Sequence, residues 1–479
     1  MLYRIIIFAL FFNFIFVNYA NSEIITSEKI GKIFKRKGIS NFNSSVSIIS
    51  LKTGDSIFDY NKERLLAPAS NMKILTSSAA LKLLKPEHRF RTVIYSDSYI
   101  KNGIINGNIY IKGYGDPDLT YERLAKTVRK LKNYGLKEVQ GDLIADESFF
   151  DSQDVGKGWK IANYGNSVYS ARISALSINR NTIEVWVRSG EKNGDKGIIT
   201  LEPENDFFIV ENKLITGGSY PNLIITRDMT KEGRNKIIVK GSIPLGNHSE
   251  INKMNLENPC LYTGYVFAKL LQKEGIKING KIRKSITPQN VIQLIETQSR
   301  PLSNIIYDFN KNSVNIIGEI LLKYLGAVFR GKPGTIEKGA DVLKKDFLEN
   351  IVKVDTKGIV IADGSGLSPM NRISANHLVQ VLKYMYSDIS VQPDLLASLP
   401  LSGADGTLER RTKNTLGERK FRAKTGFINN VSALSGYVFS KDGTPFAFSL
   451  LFNNFYNLST AISIQDEIAT YIANNIYKE

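Results

Sequence analysis

At 479 residues the chain is longer than one hydrophobic core usually supports, and 42% hydrophobic with 23% charged residues is the composition of a folded globular protein, which excludes a mostly disordered, collagenous or multi-span membrane chain. One cysteine, Cys260, and three scattered histidines, His88, His248 and His377, exclude an internal disulfide, a cysteine-built metal site and an H-E-x-x-H ligand pair, so no metal or other cofactor is expected. The formal charge of +17 is spread along a Lys-, Ile- and Asn-rich chain without a block of five consecutive basic residues, which reads as drift in composition and predicts no nucleic-acid partner.

The elements follow in chain order. Residues 1–22 carry one positive charge at Arg4, an apolar run over 5–17 broken only by Asn13, and the small residues Ala20 and Ser22. That is the order of a secretory signal peptide, too short to span a bilayer, and it predicts export to the periplasm or the cell-wall side of the membrane. Alternating residues over 46–51 and 56–58, joined by Lys52-Thr53-Gly54-Asp55, predict a hairpin. Pro68-Ala69-Ser70 then opens a helix whose apolar positions are Met72, Leu75, Ala79, Leu83 and Leu84. From about 90 to 290 the texture is short and β-rich, as in 107–111 and 182–187. Apolar periodicity over 304–325 predicts one long helix. Strands over 432–439 and 445–452 precede a final amphipathic helix over about 460–477, which reads as core-packing. There is no internal repeat and no phosphate-binding loop.

Three short motifs stand on this framework. In Ser70-Asn71-Met72-Lys73 a hydroxyl and an amine lie three residues apart, on one face of a helix start. A serine needs a neighbour to take its proton, and a lysine serves when burial lowers its pKa. The same S-x-x-K spacing at Ser98 and Ser189 falls in strand-and-turn texture. Ser313-Val314-Asn315 lies within the later helical stretch, and Lys424-Thr425-Gly426 comes just before strand texture. A second K-T-G at Lys52 lies upstream of the nucleophile, in the wrong order. Each motif alone is weak, whereas the ordered trio characterises penicillin-binding proteins and class A β-lactamases.

With the trio stand Ala67-Pro68-Ala69 before Ser70, Glu319 after Asn315, Asp363-Gly364-Ser365-Gly366-Leu367-Ser368, Leu399-Pro400 and Gly403-Ala404-Asp405-Gly406-Thr407-Leu408. Gly113-Tyr114-Gly115-Asp116-Pro117-Asp118-Leu119 and Ser174-Ala175-Leu176 lie in the long interval between Ser70 and Ser313. Together they resemble the class C low-molecular-mass penicillin-binding proteins, peptidase family S13, over essentially the whole mature chain. The resemblance implies an α+β multidomain fold: a serine β-lactamase/DD-peptidase-like transpeptidase domain, an antiparallel sheet flanked by helices, from 23–88 and 297–479. Residues 89–296 would form a large inserted β-rich region of two small domains.

The implied function is a D-alanyl-D-alanine carboxypeptidase and endopeptidase acting on peptidoglycan stem peptides, with β-lactams as covalent inhibitors. Carried over position by position, Ser70 would attack, Lys73 accept its proton, Ser313 relay a proton and Asn315 orient Lys73 and the substrate amide. Lys424 and Thr425, with Gly426 in the same motif, would hold the peptide terminus, and the N–H groups of Ser70 and Phe427 would form the oxyanion hole. Asp146 would bind the amine of a diamino acid. Where many members carry a basic residue after D-G-S-G-L-S this chain has Pro369, with Arg372 nearby; His377 reads as solvated or capping. Two other readings stay open at this point: a β-lactamase or esterase on the same scaffold, and a catalytically silent, exported peptidoglycan-binding protein. A homodimer is compatible with all of them. The basic charge regains some weight if the partners are carboxylate-ended peptides.

Overall fold

A computed structural model describes residues 22–35, 43–159, 165–246 and 249–478. Residues 1–21 of the expected signal peptide, and His248, lie outside the described residues.

The two ends of the chain build one antiparallel sheet, ordered Phe421–Ile428, Val431–Phe439, Pro445–Asn453, Asn43–Ser50 and Ser56–Tyr60. The period of two along each strand sorts side chains between its faces. Phe446, Phe448, Leu450 and Phe452 enter a core shared with the helices Ser27–Phe34 and Leu458–Asn474. Ala433, Ala447 and Leu451 face a second core built on Met72–Leu84 and Ala375–Ser387. With both faces covered, the inner strands read as almost continuously buried runs. Met72–Leu84 is buried from Met72 to Leu81 on every side, as expected of a helix enclosed by sheet and helices. Lys85, at φ +74°, ends it just before Pro86.

The sequence predicts one helix over 304–325; the structure has two, Leu302–Lys311 and Asn315–Arg330. The break falls at Ser313, whose φ is +53°. Lys311, the last residue of the first helix, is anchored sideways to the Leu399 carbonyl and the Asp405 carboxylate. The chain therefore turns instead of continuing, and Asn315 becomes the first residue of a new helix.

Between these parts lies β-rich structure. Arg91–Ser96 and Ile292–Gln298 pair antiparallel, with Arg91 opposite Gln298, so the insert leaves and returns at one place. Ile109–Gly113, Leu143–Asp146 and Ile282–Lys284 complete a mixed five-stranded sheet packed with the helices Tyr121–Asn133 and Pro259–Lys273. Residues 182–255 supply two three-stranded sheets. One apolar core, from Leu143 through Phe267 to Val185 and Ile237, runs through all of these layers. The insert is fastened to the helix Asn315–Arg330: Phe149, Phe150 and Ile173 pack on Ile316, Ile320 and Ala327, and the buried Lys323 ammonium reaches Asp151.

Candidate active site

Ala69 is fully buried at φ +45°, a conformation that a residue with a Cβ holds at a cost on the order of 1–3 kcal/mol. It aims the chain so that Ser70 sits in a single 3₁₀ turn, Ala69–Asn71, running directly into Met72–Leu84. The loop 363–368 fits against this turn at Gly366, where φ is +84° and a Cβ would lie 1.8 Å from the Ala69 carbonyl oxygen. Only glycine allows that approach.

Lys73 lies one helical turn on, with no solvent exposure. Its Nζ is 2.9 Å from Ser70 Oγ, 2.7 Å from Asn315 Oδ1 and 2.7 Å from the Ser365 carbonyl oxygen. Burial pushes this amine down from 10.5 to about 7, against the opposing pull of Asp363 and Glu319. In the neutral form two N–H bonds are taken by the two obligate acceptors, Asn315 Oδ1 and Ser365 O, and the lone pair is left facing the Ser70 hydroxyl. The amide of Asn315 is itself oriented, because its Nδ2 donates to the Tyr169 carbonyl at 3.0 Å. The Ser365 carbonyl is held by its loop, whose Gly364 and Ser365 N–H groups donate to the buried Glu319 carboxyl. Burial, with Asp363 beside it, pushes Glu319 upward.

Across the cleft, Ser313 Oγ lies 3.0 Å from the Nζ of Lys424, which also donates to the Thr425 carbonyl. Lys424 is fully buried; burial, with Lys73 close by, pushes its pKa well below the ordinary range. Thr425 Oγ1 is bonded to Thr407 Oγ1 at 2.7 Å. The strand Phe421–Ile428 is the edge of the central sheet. At its start the free side is occupied: Ala423 N donates to Pro400 O, and Phe421 O accepts from Ser402 N. Backbone groups alternate sides along a strand, so those of Thr425 and Phe427 face the same free side, toward the cleft. Gly426 lets this strand lie close to the serine turn; a Cβ there would be 2.9 Å from the Pro68 carbonyl.

Ser70, Ser313, Asn315, Thr425 and Phe427 thus line one cleft of about 390 Å³, with Tyr169, Leu367, Ile428 and Asn429. The buried Lys73 and Lys424 are bonded to its serines from behind. Asp146 is not among the lining residues. Its carboxylate is buried, taking bonds from Lys112 Nζ (2.7 Å) and from the Ser148 and Thr287 N–H groups. Burial alone would raise its pKa; those bonds outweigh it and lower it. With its oxygens so engaged, Asp146 is an internal partner of Lys112, its neighbour across the strands. Arg372 bonds the Pro369 and Asn371 carbonyls, away from the lining, and His377 bonds Ser374 and the Asp355 carbonyl at a helix start. Sequence reasoning passed over Tyr169, which supplies a wall of the cleft and the acceptor for Asn315 and stands in no motif that marks it; Thr407 figured only within Gly403-Ala404-Asp405-Gly406-Thr407-Leu408, with no role of its own.

A serine–lysine pair at a helix start, a second serine and lysine facing it, and a free sheet edge between them define an acyl-transferring serine hydrolase centre of the Ser–Lys type. The chain belongs to the D-Ala-D-Ala carboxypeptidase 3 (S13) family, whose pattern matches residues 26–475. It is 32% identical over 463 residues to a D-alanyl-D-alanine carboxypeptidase of an Actinomadura species, covering 93% of this chain and 84% of the relative. It is 26% identical over 432 residues to D-alanyl-D-alanine carboxypeptidase DacB of Haemophilus influenzae, covering 88% of each. Its fold superposes on the crystal structure of penicillin binding protein 4 from Haemophilus influenzae with a TM-score of 0.78 at 24% identity, over 92% of this chain and 98% of that one.

Proposed function

We propose that the chain is a serine D-Ala-D-Ala carboxypeptidase and DD-endopeptidase of peptidoglycan stem peptides, and a target of β-lactams. The observation that carries the reading is the Lys73 amine, buried, lowered to about 7 and directed at Ser70 Oγ by its two carbonyl acceptors. Substrate lies extended along the edge at Thr425 and Phe427, its terminal carboxylate toward Lys424 and Thr425. As Ser70 Oγ bonds the penultimate D-Ala carbonyl carbon, its proton passes to Lys73. The Ser70 and Phe427 N–H groups stabilise the oxyanion; loss of one such donor typically costs on the order of 10²–10³ in rate. The C–N bond then breaks, and the leaving amine takes a proton from Ser313 Oγ, which Lys424 and Lys73 resupply. Water attacks the Ser70 ester as Lys73 takes its proton; the acyl C–O bond breaks, Ser70 Oγ takes that proton from Lys73, and the free serine and neutral amine are restored.

The domains that support this chemistry are read as a discontinuous 23–88 and 297–479 peptidase domain and the insert 89–296. The substrate mesh lies outside the cytosol, which supports an exported protein with residues 1–22 as its signal peptide; no described helix is long and apolar enough to cross a membrane. The cleft draws its chemistry from one chain, so a homodimer, if formed, leaves each copy complete. Fluorescent penicillin should label the wild type covalently and fail on Ser70→Ala; labelling that survives the substitution refutes the nucleophile. Cross-linked sacculi should release monomeric muropeptides, and dimers that persist through long digestion restrict the enzyme to carboxypeptidase action.

A further inference from the structure

The loop that presents the Ser365 carbonyl to Lys73 is organised around one buried carboxylate, Asp363. Its Oδ1 accepts from Gly366 N–H at 2.8 Å and Asn371 Nδ2 at 2.7 Å; its Oδ2 accepts from Ser368 N–H at 2.5 Å and Trp159 Nε1 at 2.8 Å. Three of these donors belong to the same stretch of chain. The fourth, Trp159, comes from the insert. It is 9% exposed and closes a turn in which its N–H donates to Gly156 O. A Cβ on Gly156 would lie 2.2 Å from the indole nitrogen, so that turn seats the ring edge against bare backbone. A second bond, from Ser368 Oγ to the Lys157 carbonyl at 2.6 Å, joins the same two segments.

We infer that Trp159 is a positioning residue for Lys73: its indole N–H pins the Asp363 carboxylate in place, and so couples the insert to the general base. The groups whose charge bears on Lys73 are Asp363, Glu319 and Lys424. Of these, Asp363 is the one the insert touches through a hydrogen bond to its carboxylate. A carboxylate deprived of one of its donors is no longer pinned at its place in the loop. With that negative charge less closely placed, the Lys73 ammonium is less favoured and deprotonates at lower pH. The insert thereby acts on the chemistry of a cleft whose catalytic groups come from elsewhere in the chain.

This inference rests on the proposed Ser–Lys chemistry, and the test separates the two. The second-order acylation rate with a fluorescent penicillin is followed from pH 5 to 9. In Trp159→Phe, which keeps a ring and drops the donor, the acid limb should move down by about half a pH unit or more, and the plateau should fall on the order of tenfold as the Ser365 carbonyl loses its register. Gly156→Ala, which displaces the indole without removing it, should move the limb the same way and covers the case in which Trp159→Phe does not fold. Ser368→Ala breaks the other bond between the segments but leaves every donor to Asp363; it should lower the melting temperature and leave the limb in place. Limbs that coincide with wild type in both Trp159→Phe and Gly156→Ala, or an equal displacement in Ser368→Ala, overturn the role of Trp159. A wild type that is not acylated at all overturns the Ser–Lys chemistry instead.

Discussion

Replacing Asn315 by aspartate retains its size but places a negative charge where the amide oxygen accepts from Lys73 Nζ at 2.7 Å. At an effective dielectric of about 20, unit charges that close attract by about 6 kcal/mol. Part of this is lost, because the new carboxylate is buried and its second oxygen must face the Tyr169 carbonyl that the amide N–H now serves. A net of about 3 kcal/mol would move the lysine by about two pH units. In the wild type the fall from 10.5 to about 7 corresponds to about 5 kcal/mol against the ammonium, so the added anion restores a good part of it. The sign is unambiguous: a raised pKa leaves less neutral amine at any given pH, and acylation on the acid side falls with it. The acid limb of the acylation rate should therefore shift from near pH 7 to about pH 9. At pH 7 the rate should drop on the order of a hundredfold and recover about tenfold per pH unit. Stopped-flow acylation by a fluorescent penicillin between pH 5 and 10 measures this, with Asn315→Ala as the variant that removes the acceptor without adding charge. An Asn315→Asp limb that stays at the wild-type pH refutes the assignment of that limb to Lys73.

Ser313→Ala should lower kcat for D-Ala release by about 10²–10³ and leave KM nearly unchanged, as expected for a group that moves a proton in the transition state; steady-state kinetics on a pentapeptide decide it. Gly366→Ala forces a Cβ to within 1.8 Å of the Ala69 oxygen at φ +84°, so thermal unfolding should show a loss of more than about 3 kcal/mol and acylation should fail with it. Lys82 Nζ lies 2.7 Å from Asp388 Oδ2 and, with Ser390, holds that carboxyl down at about 2 from 3.8. The stability this contributes is complete above pH 3.8 and is lost as pH falls through about 2. Denaturant titrations in that window should show a steep loss in the wild type, flattened in Lys82→Met; equal slopes in the two proteins exclude the pair as a source of acid sensitivity.

Much of the architecture was readable because it depends on local periodicity. The hairpin signal over 46–58 and the three-residue spacing of Ser70 and Lys73 each place side chains without reference to distant chain. The break at Ser313 was not readable: the apolar spacing continues across it, and the left-handed residue is a serine, with no glycine to mark the turn. Its cause is the sideways anchoring of Lys311 to Leu399 and Asp405, far along the chain. The surroundings of Asp146 were hidden for the same kind of reason. An acid at a strand end looks alike in sequence whether it faces a cleft or a lysine, and only strand register sets it beside Lys112. Trp159 and Tyr169 act on the site through single long-range hydrogen bonds, to Asp363 and Asn315, which no spacing rule encodes.

The unpaired stretch of the strand Phe421–Ile428 also limits what the enzyme can attack. A chain cut there has to donate and accept backbone hydrogen bonds along that edge, in effect completing the sheet as an added strand. Cell-wall peptides, short and without folded structure, have those groups free. A folded protein has nearly all of its own already committed and would have to unravel locally before presenting them. Such an edge therefore works as a filter for conformation ahead of any recognition of side chains, so a hydrolase loose among the other proteins of its compartment is directed to the mesh and spares its neighbours.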